Sequence, residues 1–393
     1  MITGDALAAR LADLVPIGLG EDGTNRLAWT DEDAAAARWF ESQAASAGLE
    51  VRRDPAGNLW ACPPGEGPWW GIGSHLDSVR DGGRYDGALG VAAAFEVAAQ
   101  FPVPVAVVSF ADEEGARWNT PTFGSRALVG RLDLGDVLTR RDDDGVLLAD
   151  AMRAAGVDPD GVAGAPSWLA RLRGFLELHI DQSTDVAAAG VPAGVVSGLA
   201  SRLRLQVELR GQADHAGTTP RDKRHDALAV AARLIVAADD AAAAVPDFVM
   251  TASRILVSPN ALTTVPSHVR LWLDARAPAP ADVDGWRERL EAVARDLAER
   301  SGVEIEVEVA SRSAGVTFDD GVRDALRAAG DAGIPEVTCF AGHDAGVVGE
   351  RLPAGMVLVR NPSGVSHSPE EDVSLDDAAA GANMLVAALE RLA

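Results

Sequence analysis

Residues 69–110 read WWGIGSHLDSVRDGGRYDGALGVAAAFEVAAQFPVPVAVVSF, and this stretch decides the fold class. It begins with the apolar run Trp69–Gly73 and ends with the β-branched run Val103–Phe110, both short enough to be buried strands. Between them, the Ala-rich segment Ala88–Gln100 is typical of a helix. A strand, a helix and a second strand in this order predict a sheet with helices packed on it.

The same alternation extends towards both ends of the chain. Thr30 is followed by three acidic residues, which indicates a helix start, because a hydroxyl cap and nearby carboxylates satisfy free N–H groups. This helix is expected to end at Gly48. Further strands and helices are expected at Leu49–Arg53, Leu59–Ala61, Gly321–Ala329, Met356–Val359 and Leu375–Leu392.

A different pattern begins near Arg202, where SRLRLQVELRG alternates apolar and polar residues. Such alternation suits a sheet with one face in water. Two helices and three more strands follow, in the β-α-β-β-α-β order of a small ferredoxin-like domain. We therefore expect an α/β domain with a mixed sheet flanked by helices, formed by residues 1–202 and 314–393. A ferredoxin-like α+β domain would be inserted at 203–313.

Composition limits the partners of the protein. The 393 residues allow two or three domains at roughly 100 to 200 residues each, and the formal charge is 35 − 59 = −24. This acidic balance argues against nucleic acid, whose binding needs clustered Lys and Arg. No stretch reaches the roughly 18 uninterrupted apolar residues of a membrane helix, and no signal peptide is recognisable. With only two cysteines and therefore no disulfide framework, a cytoplasmic location is expected.

Three polar groups follow the predicted strands of the first domain. His75 and Asp77 share one face after the strand at Trp69–Gly73, and Asp86 lies in a Gly-rich turn before the next helix. Together they suit a metal site with a supporting carboxylate. The simpler alternative is that His75 ends a strand and Asp86 caps a helix.

Glu113 and Glu114 belong to an acidic run, Asp112-Glu113-Glu114, directly after the strand that ends at Phe110. A solvated acidic turn is the simpler interpretation. However, the carboxyl ends of strands are where sites form in α/β sheets, and a cation there would relieve the repulsion. One Glu could then bind metal while its neighbour acts as a base on water.

Two further histidines lie beside apolar stretches, His179 in ELHIDQ and His367 in GVSHSP. Either one alone is usually a packed or surface residue. With His75, Asp86 and Glu114 they supply five N and O ligands, and a shared carboxylate would make two sites of three ligands each. Such sites leave positions open for water, as catalytic metal sites require.

The inserted domain has two candidate substrate contacts. His215 lies in the loop GQADHAGTTP, whose backbone donors suit an oxyanion or a substrate carbonyl, although it could be only a hairpin turn. Arg276 ends the predicted strand LWLDAR, where a guanidinium could hold a carboxylate. The alternative for Arg276 is an ordinary ion pair with Asp274 or another neighbour.

Taken together, these segments resemble the dinuclear metallo-amidohydrolases of the aminoacylase and carboxypeptidase clan. The likeness is to the branch with allantoate amidohydrolase, N-carbamoyl-L-amino acid hydrolase and β-ureidopropionase. It covers nearly the whole chain from Gly73 to Glu371. The segments that carry it are GSHLDSVRDGGRYDGALGV, SFADEEGARW, GSRALVG, ELHIDQ, GQADHAGTTPRDKRHDA, TVPSHVRLWLDAR, AGHDA and GVSHSPEE.

The resemblance implies a role for each matching residue. His75, Asp86 and His179 would hold one divalent metal, and Asp86, Glu114 and His367 a second. Two metal ions per subunit are thus expected, zinc or manganese first, with cobalt or nickel as alternatives. Glu113 would be the general base and Asp77 the support for His75.

The remaining implied roles concern substrate and assembly. His215 would reach the active site of the neighbouring subunit of a homodimer through the inserted domain, which would serve as lid and dimerisation domain. Arg276 would bind the substrate carboxylate, with Gln182 and His343 near the site. The expected reaction is cleavage of the carbamoyl or ureido C–N bond of allantoate or an N-carbamoyl amino acid, with release of ammonia and carbon dioxide.

The sequence departs from the family pattern at three positions that bear on substrate identity. Asp181 stands where the family has Glu, while Thr263 and Ser267 stand where it commonly has Asn and Gly. Two other interpretations therefore stay open. One is an N-acyl amino acid amidohydrolase or dipeptidase of the same clan. The other is a binding protein that keeps the metal site without turnover, against which an intact Glu113 argues.

Overall fold

The computed structural model describes residues 1–101, 104–330 and 333–393. It divides into two compact units, Met1–Gly198 with Thr317–Ala393, and Leu199–Val316. The second unit begins before residue 203 and ends after residue 313, the limits expected from the sequence.

The amino-terminal part of the first unit alternates helices and strands. Its elements are α1 (Gly4–Leu11), α2 (Asp31–Ser46), β1 (Glu50–Arg53), β2 (Leu59–Cys62), β3 (Trp69–His75), α3 (Ala88–Gln100), β4 (Val105–Phe110), α4 (Phe123–Leu128), α5 (Leu134–Val137), α6 (Leu148–Ala154), a 3₁₀ segment (Pro159–Arg171), β5 (Leu172–Ile180), α7 (Asp185–Ala188) and β6 (Ala193–Leu199).

The remaining elements complete both units. Those of the second unit are β7 (Ser201–Arg210), β8 (Asp214–His215), a short 3₁₀ turn (Arg221–Lys223), α8 (Ala227–Ala243), β9 (Val249–Ser258), β10 (Thr264–Val265), β11 (His268–Ala277), α9 (Pro280–Ser301) and β12 (Glu304–Ser313). The chain then forms β13 (Val316–Thr317), α10 (Asp320–Ala329), β14 (Glu336–Cys339), α11 (Asp344–Val348), β15 (Ala354–Val359) and α12 (Leu375–Leu392).

The first unit contains a nine-stranded mixed sheet in the order β1-β2-β4-β3-β5-β15-β6-β13, with β14 paired to β6. Its centre, β4-β3-β5-β15, is parallel, whereas β2 joins β4 and β6 joins β15 in antiparallel fashion. The predicted α/β fold class with a mixed sheet is confirmed. Because the four central strands are parallel, their carboxyl ends lie at one edge of the sheet.

Burial explains why the central strands, and the helix that connects two of them, consist mainly of apolar residues. Every residue of β3 and β4 is buried, as expected for strands covered on both faces. Helix α3 buries nearly its whole length, and with α1 and α12 it packs against the sheet in one apolar core. The predicted bounds of α3 and α12 agree with the structure. The predicted strand start at Val103 lies outside the described residues.

The cap chemistry predicted for the second helix is also confirmed. The Thr30 hydroxyl accepts the N–H of Asp33 at the start of α2, and Gly48 lies just after its end with φ +68°. By contrast, the helical elements between β4 and β5 were not predicted. They enclose a small apolar core of their own around Trp118 and Phe123.

The second unit has the βαββαβ order expected of a ferredoxin-like domain. Its antiparallel sheet has the strand order β12-β7-β11-β9. Strands β7 and β11 alternate strictly between buried and more exposed residues, and the buried ones pack with α8 and α9 in a separate core. Among the described residues, no helix is long and apolar enough to cross a lipid bilayer.

Candidate metal centre

The carboxyl ends of three neighbouring parallel strands bring the predicted polar residues together. His75 is the last residue of β3, His179 is the next-to-last of β5, and Glu113 follows β4. His75 and His179 are each only 1% exposed, so two imidazoles are buried in the interior. Buried polar groups need partners, and each of these two has a carboxylate nearby.

Asp86 is the carboxylate that joins both histidines. Its Oδ1 lies 3.6 Å from His75 Nε2 and 3.0 Å from His179 Nε2. The ligand atoms of these three residues all lie within 4.8 Å of one another. They are the three residues that the sequence groups as the first candidate metal site.

The other oxygen of Asp86 belongs to a second group. His367 Nε2 lies 3.4 Å from Asp86 Oδ2 and 3.5 Å from Glu114 Oε2. Again the three ligand atoms lie within 4.8 Å of one another. Asp86 therefore faces the two groups with different oxygens, which is the arrangement of a bridging carboxylate.

Local backbone geometry places Asp86 in this position. The turn before α3 passes through Gly87 with φ +63°, a left-handed conformation that favours glycine. A Cβ atom there would lie 2.4 Å from the His75 ring. Only glycine therefore lets the backbone come close enough for Asp86 to reach both histidines.

Backbone carbonyl groups fix which nitrogen of each buried imidazole faces Asp86. His75 Nδ1 lies 3.0 Å from the carbonyl oxygen of Asp77, and His179 Nδ1 lies 2.9 Å from that of Ile180. A carbonyl can only accept, so each Nδ1 donates. Each Nε2 is left to present its lone pair to a metal ion.

Asp77 supports this centre in a different way from the one expected. Its carboxylate is 3.8 Å from His75 Nδ1 and makes no hydrogen bond to that ring; the main-chain carbonyl of Asp77 does. Instead, the two carboxylate oxygens accept the backbone N–H groups of Glu113 and Glu114, each at 3.1 Å. Asp77 thus positions both glutamates.

The electrostatics of the pocket fit a bound cation. Burial raises the pKa of Glu114 to about 8 and, together with neighbouring carboxylates, raises that of Glu113 well above normal. For Asp86, burial acts in the same direction, but the neighbouring His179 and His75 outweigh it and hold its pKa well below normal. Positive charge is thus needed in the pocket, and a divalent cation would supply it.

The donor set also fits a metal ion chemically. Glu114 Oε1 is buried without a hydrogen-bond partner among the described residues. Imidazole nitrogens together with carboxylate oxygens suit zinc, manganese, cobalt or nickel. The residues present therefore fit divalent metal at both groups.

Glu113 is the carboxylate next to the first ligand group. Its side chain is 8% exposed, and Oε2 is 3.9 Å from His75 Nε2, beside the first ligand group. It belongs to neither ligand group. A carboxylate so placed can exchange a proton with water in the pocket.

Gln182 and Asp181 differ in their contacts. The Gln182 amide donates to Asp86 Oδ2 at 3.2 Å and to the Ser366 hydroxyl at 2.9 Å, so it lies on the bridging carboxylate. Asp181 is buried and turns away: its carboxylate accepts the N–H groups of Ser183 and Val186 at the start of α7. The shorter side chain at 181 therefore serves a turn, whereas the sequence suggested an effect on the substrate pocket.

The His343 ring lies close to the centre, with its centroid 4.3 Å from that of His179 and its plane tilted by 55°. Burial and the neighbouring His179 lower its pKa well below normal. It forms a third compact group with Glu177 and His179. However, the Glu177 oxygens already accept hydrogen bonds from Ser74 Oγ and Ala345 N, so this group is better explained as packing behind the ligands.

His215 and Arg276 lie in the second unit. Arg276 Nε donates to Asp274 Oδ1 at 2.9 Å, the ion pair considered as its alternative. The His215 imidazole is exposed, and its Nδ1 lies 3.1 Å from the backbone nitrogens of both Gly217 and Thr218. Of the two remaining histidines, His225 contacts the Ser301 carbonyl and His268 contacts Glu208.

Glu371, which the sequence did not predict as a site residue, holds the backbone of Asp86. Its Oε1 accepts the backbone N–H groups of Tyr85 and Asp86 at 3.1 and 3.0 Å, and the residue is 1% exposed. A Cβ atom at Gly83 would lie 2.3 Å from this carboxyl, so the turn fits closely around it. The only signal was its position four residues after His367.

Arg26 is a second residue that was missed. It is fully buried, and its Nε donates to the carbonyl of Leu76, between His75 and Asp77. Burial lowers its pKa to about 10, and Asp77 acts in the opposite direction. A cation at this point anchors the strand end that carries His75.

Comparisons with known proteins agree with this geometry. The family model described as peptidase family M20/M25/M40 matches residues 70–391. The chain is 35% identical to an N-carbamoyl-L-amino acid amidohydrolase of Geobacillus stearothermophilus, over 100% of this chain and 99% of that protein. It is 31% identical to an allantoate amidohydrolase of Bacillus subtilis, over 95% and 93% of the two chains.

A solved structure shows the same fold. An amidase of the hydantoinase/carbamoylase family from Burkholderia multivorans superposes with a TM-score of 0.88 and 31% identity, over 99% of this chain and 98% of that one. The chain therefore belongs to peptidase family M20/M25/M40 and, within it, to the branch of the N-carbamoyl-L-amino acid and allantoate amidohydrolases.

Proposed function

We propose that this protein is a metal-dependent amidohydrolase that cleaves the carbamoyl or ureido C–N bond of a small carboxylate substrate. An N-carbamoyl-L-amino acid or allantoate is the proposed substrate, since two relatives bear those names. The observation that carries the proposal is the pair of three-residue ligand groups that share Asp86, with Glu113 beside them.

Two divalent ions are proposed, one in each group. His75, Asp86 and His179 would hold one, and Asp86, Glu114 and His367 the other. When bound, the metals supply Lewis acidity that makes water acidic near neutral pH and polarises a carbonyl. A buried pocket strengthens these charge interactions.

Glu113 moves the proton in this scheme. It accepts a proton from water as the water oxygen forms a bond to the ureido carbon, and it returns that proton to the departing nitrogen when the C–N bond breaks. The products are an amine and a carbamate, and the carbamate decomposes to ammonia and carbon dioxide. Asp77 keeps Glu113 in place through its hydrogen bond to the Glu113 backbone.

Residues of the second unit are proposed to bind the substrate. Arg276 would hold the carboxylate with its guanidinium, exchanging its contact with Asp274 for the substrate. His215 would stabilise the oxyanion that forms on the carbonyl oxygen, where loss of one donor typically costs about 3 to 4 kcal/mol. Gln182 would steady the bridging carboxylate, and His343 would pack behind His179.

We propose that the enzyme is a homodimer in which His215 of one subunit acts in the site of the other. Strand β9 supports pairing through the second unit, because it is an edge strand with several exposed apolar residues. Val249 is 52%, Ile255 43% and Leu256 46% exposed. A cytoplasmic location is proposed from the low cysteine content.

A substrate panel tests the proposed function. Protein supplied with zinc or manganese should release ammonia and amine in equal amounts from an N-carbamoyl-L-amino acid, or ammonia from allantoate. Amine release without ammonia from N-acyl amino acids or dipeptides would instead identify an aminoacylase or peptidase. Metal binding without turnover on any of these substrates would identify a binding protein.

A further inference from the structure

The loop that carries His215 fixes the orientation of its imidazole. Strand β8 ends at His215 and pairs with β10, and the Ala216 N–H donates to the Thr263 carbonyl at 2.8 Å. Beyond the ring, the chain folds back so that the N–H groups of Gly217 and Thr218 both point at His215 Nδ1, each at 3.1 Å. Two backbone donors thus meet one ring nitrogen.

A backbone N–H can only donate, so His215 Nδ1 must accept through its lone pair. A neutral imidazole carries one proton, which then has to be on Nε2. We infer that the Gly217 and Thr218 amides fix the Nε2–H tautomer of His215, so that this residue presents a hydrogen-bond donor, and not a base, to its ligand. The ligand group it suits is a neutral oxygen acceptor such as a ureido carbonyl.

The loop holds this arrangement with several further bonds. The Thr219 hydroxyl and N–H both donate to the His215 carbonyl, at 2.8 and 3.2 Å. Arg224 Nε donates to the Thr219 carbonyl at 2.9 Å, and the Asp214 carboxylate accepts the His215 N–H at 2.8 Å. A donor held in this way needs little reorganisation when negative charge develops on a substrate oxygen.

Only the identity of the ligand, a ureido carbonyl, rests on the proposed function. The tautomer itself rests on the contacts of His215. In an amidohydrolase, the Nε2–H group would donate to the carbonyl oxygen under attack and follow it as it becomes an oxyanion. Proton transfer to and from water would then be left to Glu113. Gly217 and Thr218 act through His215, so they are positioning residues.

The first test reads the tautomer on resting, zinc-loaded, full-length protein labelled with ¹⁵N-histidine. The His215 signals are assigned by their loss in His215→Gln. We expect a pyrrole-type shift at Nε2 and a pyridine-type shift at Nδ1. A protonated Nδ1 in the neutral ring would overturn the inference. Because no substrate is present, this result is separate from the ammonia assay, whose failure would count against the proposed function alone.

A matched pair of variants tests the positioning role. Thr218→Pro removes one donor to Nδ1, whereas Thr218→Ala keeps the N–H and removes only the side chain. Thr218→Pro should introduce a fraction of the Nδ1–H tautomer, and Thr218→Ala should leave the ¹⁵N shifts unchanged. A Thr218→Pro spectrum identical to that of Thr218→Ala, in a folded protein, would contradict control by these amides.

Kinetics separate a donor from a base. The glutamine amide nitrogen reaches the position of Nε2, while the asparagine amide reaches only that of Nδ1. His215→Gln should therefore retain kcat at least about tenfold above His215→Asn, with little change in the pH profile. Equal losses in the two variants, or loss of a limb of the pH profile, would overturn the donor assignment.

Discussion

His75 and His179 of the first unit and His215 of the second have opposite tautomers, because the backbone offers them opposite partners. At the metal centre, His75 and His179 donate from Nδ1 to carbonyl groups, so that Nε2 presents a lone pair to a cation. In the second unit, His215 Nδ1 accepts two N–H groups, so that Nε2 carries the proton. The same side chain thus suits a metal ion in one region and acts as a hydrogen-bond donor in the other.

The difference in burial between the two regions has a physical basis. His75 and His179 are 1% exposed and lie among carboxylates, where bound cations would balance the charge. His215 is exposed in a loop, where main-chain bonds to its Nδ1 fix its geometry. Replacing charged side chains should therefore impair function most in the first region. Removing main-chain donors should impair it most in the second.

The largest effect is expected from Glu113→Gln, because proton transfer depends on this one carboxylate of the metal centre. Turnover should fall by about 10²- to 10⁴-fold, while the protein still binds two metal ions. Ammonia release and metal content by mass spectrometry measure both outcomes. Glu66→Gln, at an exposed residue paired with Arg171, is the matched control. Near-normal activity of Glu113→Gln would refute its role as the base.

The next effect concerns Glu371, whose carboxylate accepts the N–H groups of Tyr85 and Asp86. Glu371→Ala should lower zinc affinity about 10- to 100-fold, because the bridging Asp86 loses its support. Glu371→Gln keeps an oxygen acceptor and should restore most of this affinity. Competition with a chromogenic chelator measures both variants. Equal affinities in wild type and Glu371→Ala would remove Glu371 from the account.

Asp54 is a buried carboxylate outside the metal centre, and it provides a comparison with the carboxylates there. It accepts N–H groups from Ala56, Asn58 and Trp60, and burial raises its pKa to about 6. Because the folded pKa lies above the unfolded value of about 3.9, the free energy of unfolding falls as pH rises between these two values.

Asp54→Asn removes this titration. Between pH 5 and 7.5, wild type should lose about 1 kcal/mol of unfolding free energy relative to the variant. Urea denaturation at several pH values measures the difference, whatever the absolute cost of the substitution. A difference that is constant with pH, or one of opposite sign, would contradict the raised pKa.

The smallest departure from wild-type activity is expected in a heterodimer, which tests one residue from each region in a single experiment. If His215 acts in the neighbouring subunit, a heterodimer of His215→Ala and Glu113→Gln subunits contains one complete site and one doubly defective site. It should recover about half of wild-type activity, although each variant alone is nearly inactive. Purified heterodimers carrying two different tags allow the measurement. No recovery would contradict the action of His215 in the neighbouring subunit.

Much of the fold, and the grouping of the candidate ligands, was predictable because it depends on local sequence. His75 follows an apolar strand, and Asp86 lies in a glycine-rich turn before an Ala-rich helix. Parallel strands then bring such residues to one edge of a sheet. The alternation in β7 likewise predicted a half-buried antiparallel sheet.

The supporting residues were not predictable, because they depend on long-range contacts. Glu371 binds a backbone group 285 positions away in sequence, and Arg26 binds a carbonyl 50 positions away. Asp77 was expected to contact His75 with its carboxylate, yet two N–H groups of the next strand end are better partners for it. No local pattern reports which distant N–H group a carboxylate will meet.

The central claim is that Asp86 joins two ligand groups into one dinuclear centre. Zinc content per chain, measured by mass spectrometry after equilibrium dialysis, tests it most directly in wild type and in Asp86→Asn. We predict two zinc ions per chain in wild type and neither retained in folded Asp86→Asn, because both groups lose their shared carboxylate. One ion in wild type, or two in Asp86→Asn, would contradict the account.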